Sequence, residues 1–130
     1  MRLLVLLALC ACAVPQPPPG SAGPAEAVQD LAASLQKGDA ATAWSLLSSR
    51  AQKESEAIAA RARAAAGDAG PESGRAMLFA SALPGGPVQA RVVSQSGDSA
   101  EVQTGDDAGA RIYRVVREGG RWRVDLDLPR

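Results

Sequence analysis

Val115-Val116-Arg117-Glu118-Gly119-Gly120-Arg121-Trp122-Arg123-Val124-Asp125 has the pattern of a β-hairpin closed by a glycine pair. Gly119-Gly120 suits a two-residue turn of the primed kind, because glycine takes positive φ without steric cost. Glu118 then faces Arg121. The same register pairs Arg117 with Trp122, Val115 with Val124 and Tyr113 with Leu126 on one face. The other face pairs Val116 with Arg123 and Arg114 with Asp125. One face is apolar and the other carries an opposite-charge pair, and a slip of one residue would mix them. A sheet with one wet face needs helices on the other. The expected architecture is a two-layer α+β domain.

Working outward, period-two segments recur at Val88–Gln95, Ser99–Thr104, Ala110–Arg117 and Arg121–Leu128, separated by glycine-containing turns. The first half reads as helix. Pro24 suits a first helical position, and Val28, Leu31 and Leu35 share a face. Lys37-Gly38 is a stop signal and Asp39 a cap for the next helix, where Ala40, Ala43, Trp44 and Leu47 share a face. Ser49 and Gln52 have the spacing of a capping box. They predict a third helix to about Ala66, with Ala51, Ser55, Ile58, Ala62 and Ala65 on one stripe. Its charged side (Arg50, Lys53, Glu54, Glu56, Arg61, Arg63) reads as a solvated face. Met77, Leu78, Phe79 and Leu83 predict one more short helix before Pro84-Gly85-Gly86-Pro87.

Composition excludes several chemistries. The chain has 130 residues, with Lys+Arg 14 against Asp+Glu 14. That balance argues against nucleic-acid binding, which excess Lys and Arg carry. There is no His, and the two cysteines are Cys10 and Cys12. No Zn, Cu or haem site is expected in the folded part, and no cofactor. Asp106-Asp107 supplies too few ligands for Ca²⁺. Of the strand arginines, Arg114 and Arg121 face carboxylates and Arg117 can stack on Trp122, whereas Arg111 and Arg123 are expected in solvent.

Leu3–Leu9 is an apolar run far short of the roughly 20 residues of a membrane-spanning helix. It reads as the core of a signal peptide. Leu9-Cys10-Ala11-Cys12 resembles the lipobox of bacterial lipoproteins, which implies residues 1–11 as a signal peptide and Cys12 as the lipid attachment site. Cleavage after Ala13, giving a secreted soluble protein, is the open alternative. Residues 12–23 are rich in Pro, Gly and Ser and are expected as an extended tether. Residues 24–130 are the expected folded domain.

Leu35-Gln36-Lys37-Gly38-Asp39-Ala40-Ala41-Thr42-Ala43-Trp44-Ser45-Leu46-Leu47-Ser48 resembles the helix-Gly-Asp-helix opening of NTF2-like domains in bacterial envelope lipoproteins. The stretch from Val115 to Asp125 resembles their closing hairpin. This resemblance implies N-terminal helices packed on one face of a curved antiparallel sheet, a cone that sometimes holds a pocket. Trp44, Phe79, Tyr113 and Trp122 are the candidate pocket-lining residues, against the plainer reading that they are core. Enzymes of that fold place Asp, His or Tyr in the cone. Here His is absent and Tyr113 would stand alone, so no catalytic residue is assigned. The expectation is a non-catalytic, membrane-anchored envelope lipoprotein facing the periplasm, with a binding domain for a protein partner or a second copy. A carrier of a small apolar ligand is the alternative, and a small lyase- or isomerase-type enzyme the third.

Overall fold

A computed structural model describes residues 18–81, 88–105 and 109–128. Pro24 opens helix α1 (Pro24–Lys37), and Gly38 ends it at φ 69°, a left-handed conformation that glycine adopts freely. Asp39 accepts from the Thr42 amide at 3.1 Å and caps α2 (Ala40–Ser45). Its bonds from Thr42 hold the Asp39 carboxyl below its ordinary value. Helix α3 (Ser49–Ala66) runs through a short 3₁₀ turn (Gly67–Ala69) toward α4 (Gly74–Ser81). Ala51, Ser55 and Ala59 bury one side of α3, whereas Ala65 of the expected stripe is exposed. Gly74 lets α4 approach α3 closely, since a Cβ there would lie 2.6 Å from the Glu56 nitrogen.

Four strands follow: β1 (Ala90–Ser96), β2 (Ser99–Thr104), β3 (Arg111–Glu118) and β4 (Arg121–Val124). They form one antiparallel sheet in sequence order. The closing hairpin has the register read from the sequence, with Val115 opposite Val124, Arg117 opposite Trp122 and Glu118 opposite Arg121. Gly119 and Gly120 take φ 58° and 77°, as a primed turn requires. Strand pairing stops at Val124, short of the expected Leu128, although the Asp125 amide still donates to the Arg114 carbonyl at 2.8 Å.

The core lies between the sheet and α1. Ala100, Val102, Val115, Trp122 and Val124 meet Ala27 and Val28, all buried. Arg117 stacks over the Trp122 ring at 5.4 Å. The outer edge of β4 is closed by backbone. Ser21 exchanges two bonds of 2.9 Å with Trp122. Val124 donates to Leu46 at 2.7 Å and accepts from Ser48 at 2.8 Å. The far edge, β1, is exposed along nearly its whole length.

One expectation is corrected. The sheet is flat and open, so the curved NTF2-like cone is not formed and the resemblance to that family does not hold. The physical reason lies in strand length and placement of irregularity. Strands of 4 to 8 residues are joined mostly by tight turns. The one register shift, between Val92 and Ser94, sits on the edge strand where it cannot curl the whole sheet. Ser21, just before α1, is buried against the domain.

Cys12, Ala13, the Leu3–Leu9 run, Leu83, the Pro84–Pro87 turn and Asp106-Asp107 lie outside the described residues. Among the described residues no helix is long and apolar enough to cross a membrane.

Candidate functional site

Two apolar clefts flank helix α1. The first, of about 230 Å³, is bounded by Leu31 and Leu35 of α1, Ala43, Trp44 and Leu47 around α2, Leu78 and Phe79 of α4, and Leu126. The second, of about 190 Å³, lies between α1 and the sheet and is lined by Val28, Leu31, Ala32, Leu35, Val88, Thr104, Tyr113 and Leu126. Both are open to solvent, and they share Leu31, Leu35 and Leu126. The origin is local. Val28 belongs to the buried core, whereas Leu31 is only partly buried against it and β4 has ended before Leu126.

The four aromatic candidates separate. Trp44 and Phe79 come together in the first cleft, and Tyr113 stands in the second. Trp122 lines neither, because it is buried between Ala27, Val28 and the inner strands. Leu31, Leu35, Leu78 and Leu126 complete the clefts. Their periodicity marks them as inward-facing but carries no signal of which stay uncovered.

A polar cluster sits where α3 begins. The Asp125 carboxylate is 6 % exposed. It accepts from the Ser48 hydroxyl at 2.6 Å, from Arg50 Nε at 2.9 Å and from Arg114 Nε at 2.9 Å, and Arg114 Nη2 is ion-paired with it at 2.8 Å. Burial pushes this carboxyl upward. The Ser48 bond, the Arg50 bond and the charges of Arg50 and Arg114 outweigh that push and hold it below the ordinary carboxylate value. Arg50 is held above the usual guanidinium value, chiefly by its bond to Asp125. It also reaches Glu54 at 2.9 Å and Asp127 at 3.1 Å.

This cluster revises three sequence readings. The cap of α3 is Ser48 rather than Ser49, its hydroxyl accepting from the Ala51 amide at 3.1 Å. Ser49 instead donates its hydroxyl to Glu118 at 2.7 Å. Arg50 and Glu54, expected in solvent, belong to the cluster. Arg123 is likewise no free cation: it lies 3.4 Å from Glu118, with its side chain 17 % exposed. Arg121 faces Glu118 in register, yet donates to the Gly20 carbonyl at 3.0 and 2.7 Å.

A third, polar cleft of about 550 Å³ separates Pro18–Gly20 from α1 and α2. It is the largest, but its charged groups are of mixed sign, and three of them already have protein partners. Arg121 holds Gly20, Asp30 accepts from Ser21, and Asp39 caps α2. Among the described residues no group of three or more His, Cys, Asp or Glu could hold a metal ion. No family model, no curated protein and no solved structure matches the chain.

Proposed function

We propose that this chain is a non-catalytic binding domain, held at a bacterial envelope membrane through Cys12, that receives an apolar surface of another molecule in its open cleft. The observation that carries this reading is the pairing of a filled core with an uncovered cleft of Leu31, Leu35, Trp44, Leu78 and Phe79. Contiguous apolar surface left open on a soluble domain is characteristic of interaction sites. The side chains lining the first cleft carry no carboxylate, hydroxyl or cation, which supports binding over acid–base chemistry. The Asp125 carboxylate is saturated by protein donors and serves to fasten the chain after β4 to α3.

Native mass spectrometry of the protein extracted from its own membranes tests the reading. The expected species carries acyl mass on Cys12 and no other small molecule. A retained apolar compound, lost on Phe79→Asp, would favour the carrier with the first cleft as its site. A mature N-terminus at Val14 without acyl mass would refute the anchor. Cys12→Ala is expected to release the protein from the membrane fraction, because stable anchoring needs more than one acyl chain and this substitution removes the attachment point.

A further inference from the structure

The two sides of the α1–α2 layer differ: one is almost wholly apolar, and the other mixes charged and polar groups with Ala33 and Leu46. Leu31, Leu35, Ala43, Trp44 and Leu47 line the apolar cleft, which α4 borders. Asp30, Ser34, Lys37, Asp39, Thr42 and Ser45 line the polar cleft, which Pro18–Gly20 borders. At 100° per residue these two sets fall on different sides of both helices. The N-terminal segment is fastened on the polar side. Ser21 pairs with Trp122 through both backbone groups, its hydroxyl donates to Asp30 at 2.5 Å, and Arg121 clasps the Gly20 carbonyl. With Cys12 as the lipidated N-terminus, only Cys12 to Pro17 would precede this strap. Even fully extended, those six residues span only about 20 Å.

We infer that the strap orients the anchored protein: its polar α1–α2 side and the β4 edge face the bilayer that holds Cys12, and the apolar cleft opens away from that bilayer, toward a protein partner on the aqueous side. This rests on the lipid-anchor reading above. A freely jointed tether would present every side equally. A strap fixed by a strand-like pair and two side-chain clasps does not. The cleft is then turned from the lipids of its own membrane, so its occupant is an apolar segment of another protein rather than those lipids.

The test uses the full chain, produced as a lipoprotein and reconstituted into phosphatidylethanolamine–phosphatidylglycerol vesicles with a quencher on the lipid headgroup. Lipidation consumes the Cys12 thiol and removal of the leader takes Cys10, so an introduced cysteine is the one reactive site. Thr42→Cys reports the polar side and Ala76→Cys the α4 side; both native residues are exposed. Loss of emission at position 42 with little loss at position 76 is expected. Ser21→Pro deletes the amide that donates to Trp122 and should bring the two positions to equal quenching, while circular dichroism stays unchanged. Equal quenching in the unsubstituted strap, or stronger quenching at 76, with the acyl mass present on Cys12, overturns the orientation alone. Emission at 76 quenched by lipid entering the cleft, and relieved by Phe79→Asp, would assign the cleft to lipid instead. A chain with no acyl mass overturns the anchor reading and the orientation with it.

Discussion

Asp125→Ala removes the group on which the ends of two distant segments converge. The carboxylate accepts one hydroxyl and two guanidinium hydrogen bonds and is ion-paired with Arg114 Nη2, all at 2.6 to 2.9 Å. Breaking one partner from a fully buried pair costs about 3–5 kcal/mol, because the other charge is stranded. Here the stranded partners can rehydrate: the side chains of Arg50 and Arg114 are 39 % and 51 % exposed. That places the loss at the low end, about 3 kcal/mol, including roughly 1 kcal/mol for the Ser48 hydroxyl left without its acceptor. A domain of this size then melts roughly 12–24 °C lower. Urea unfolding followed by tryptophan fluorescence reads the free energy. Asp125→Asn, which keeps the shape and one acceptor, should lose less. In a double-mutant cycle with Arg114→Ala, the half-exposed guanidinium should couple by about 1 kcal/mol. A loss below about 1 kcal/mol for Asp125→Ala would refute the reasoning. It would mean that desolvation cancels the bonds and that backbone pairing alone holds the end of β4.

The same carboxylate gives a pH dependence. Its folded value is lowered, so its contribution is present above the unfolded value near 3.9 and is lost as pH falls through the folded value. Urea midpoints should therefore be level down to about pH 5 and fall below pH 4, and this extra fall should vanish in Asp125→Asn. Trp122→Ala should cost about 3–5 kcal/mol in the same unfolding assay, since the ring is buried at the centre of the core. Tyr113→Phe should cost no more than about 0.5–1.5 kcal/mol and leave envelope function intact. A folded, correctly localised Tyr113→Phe variant that behaves as a deletion would mean that the Tyr113 hydroxyl serves more than packing and would refute the purely structural reading of this residue.

The sequence by itself determined the local structure. Pro24 and Gly38 bound α1, and Asp39 caps α2, because capping is a transaction among neighbours. The β3–β4 register was legible because turn chemistry, hydrophobic alternation and the Arg114–Asp125 pairing all agree on it. What only the tertiary structure decided is everything that depends on distant segments meeting. The flatness of the sheet follows from where strands stop and where the one irregularity falls, and two family-like local patterns carry no such information. The shift of the α3 cap from Ser49 to Ser48 follows because Val124 and Asp125, more than seventy residues away, hold Ser48 in place. The aromatic residues looked alike in the sequence. Trp122 became core because α1 covers β4, while Trp44 and Phe79 stayed at an open cleft because no strand extends beneath them. Burial is a property of what packs on top of a residue, and periodicity along a helix or strand reports only which way that residue points.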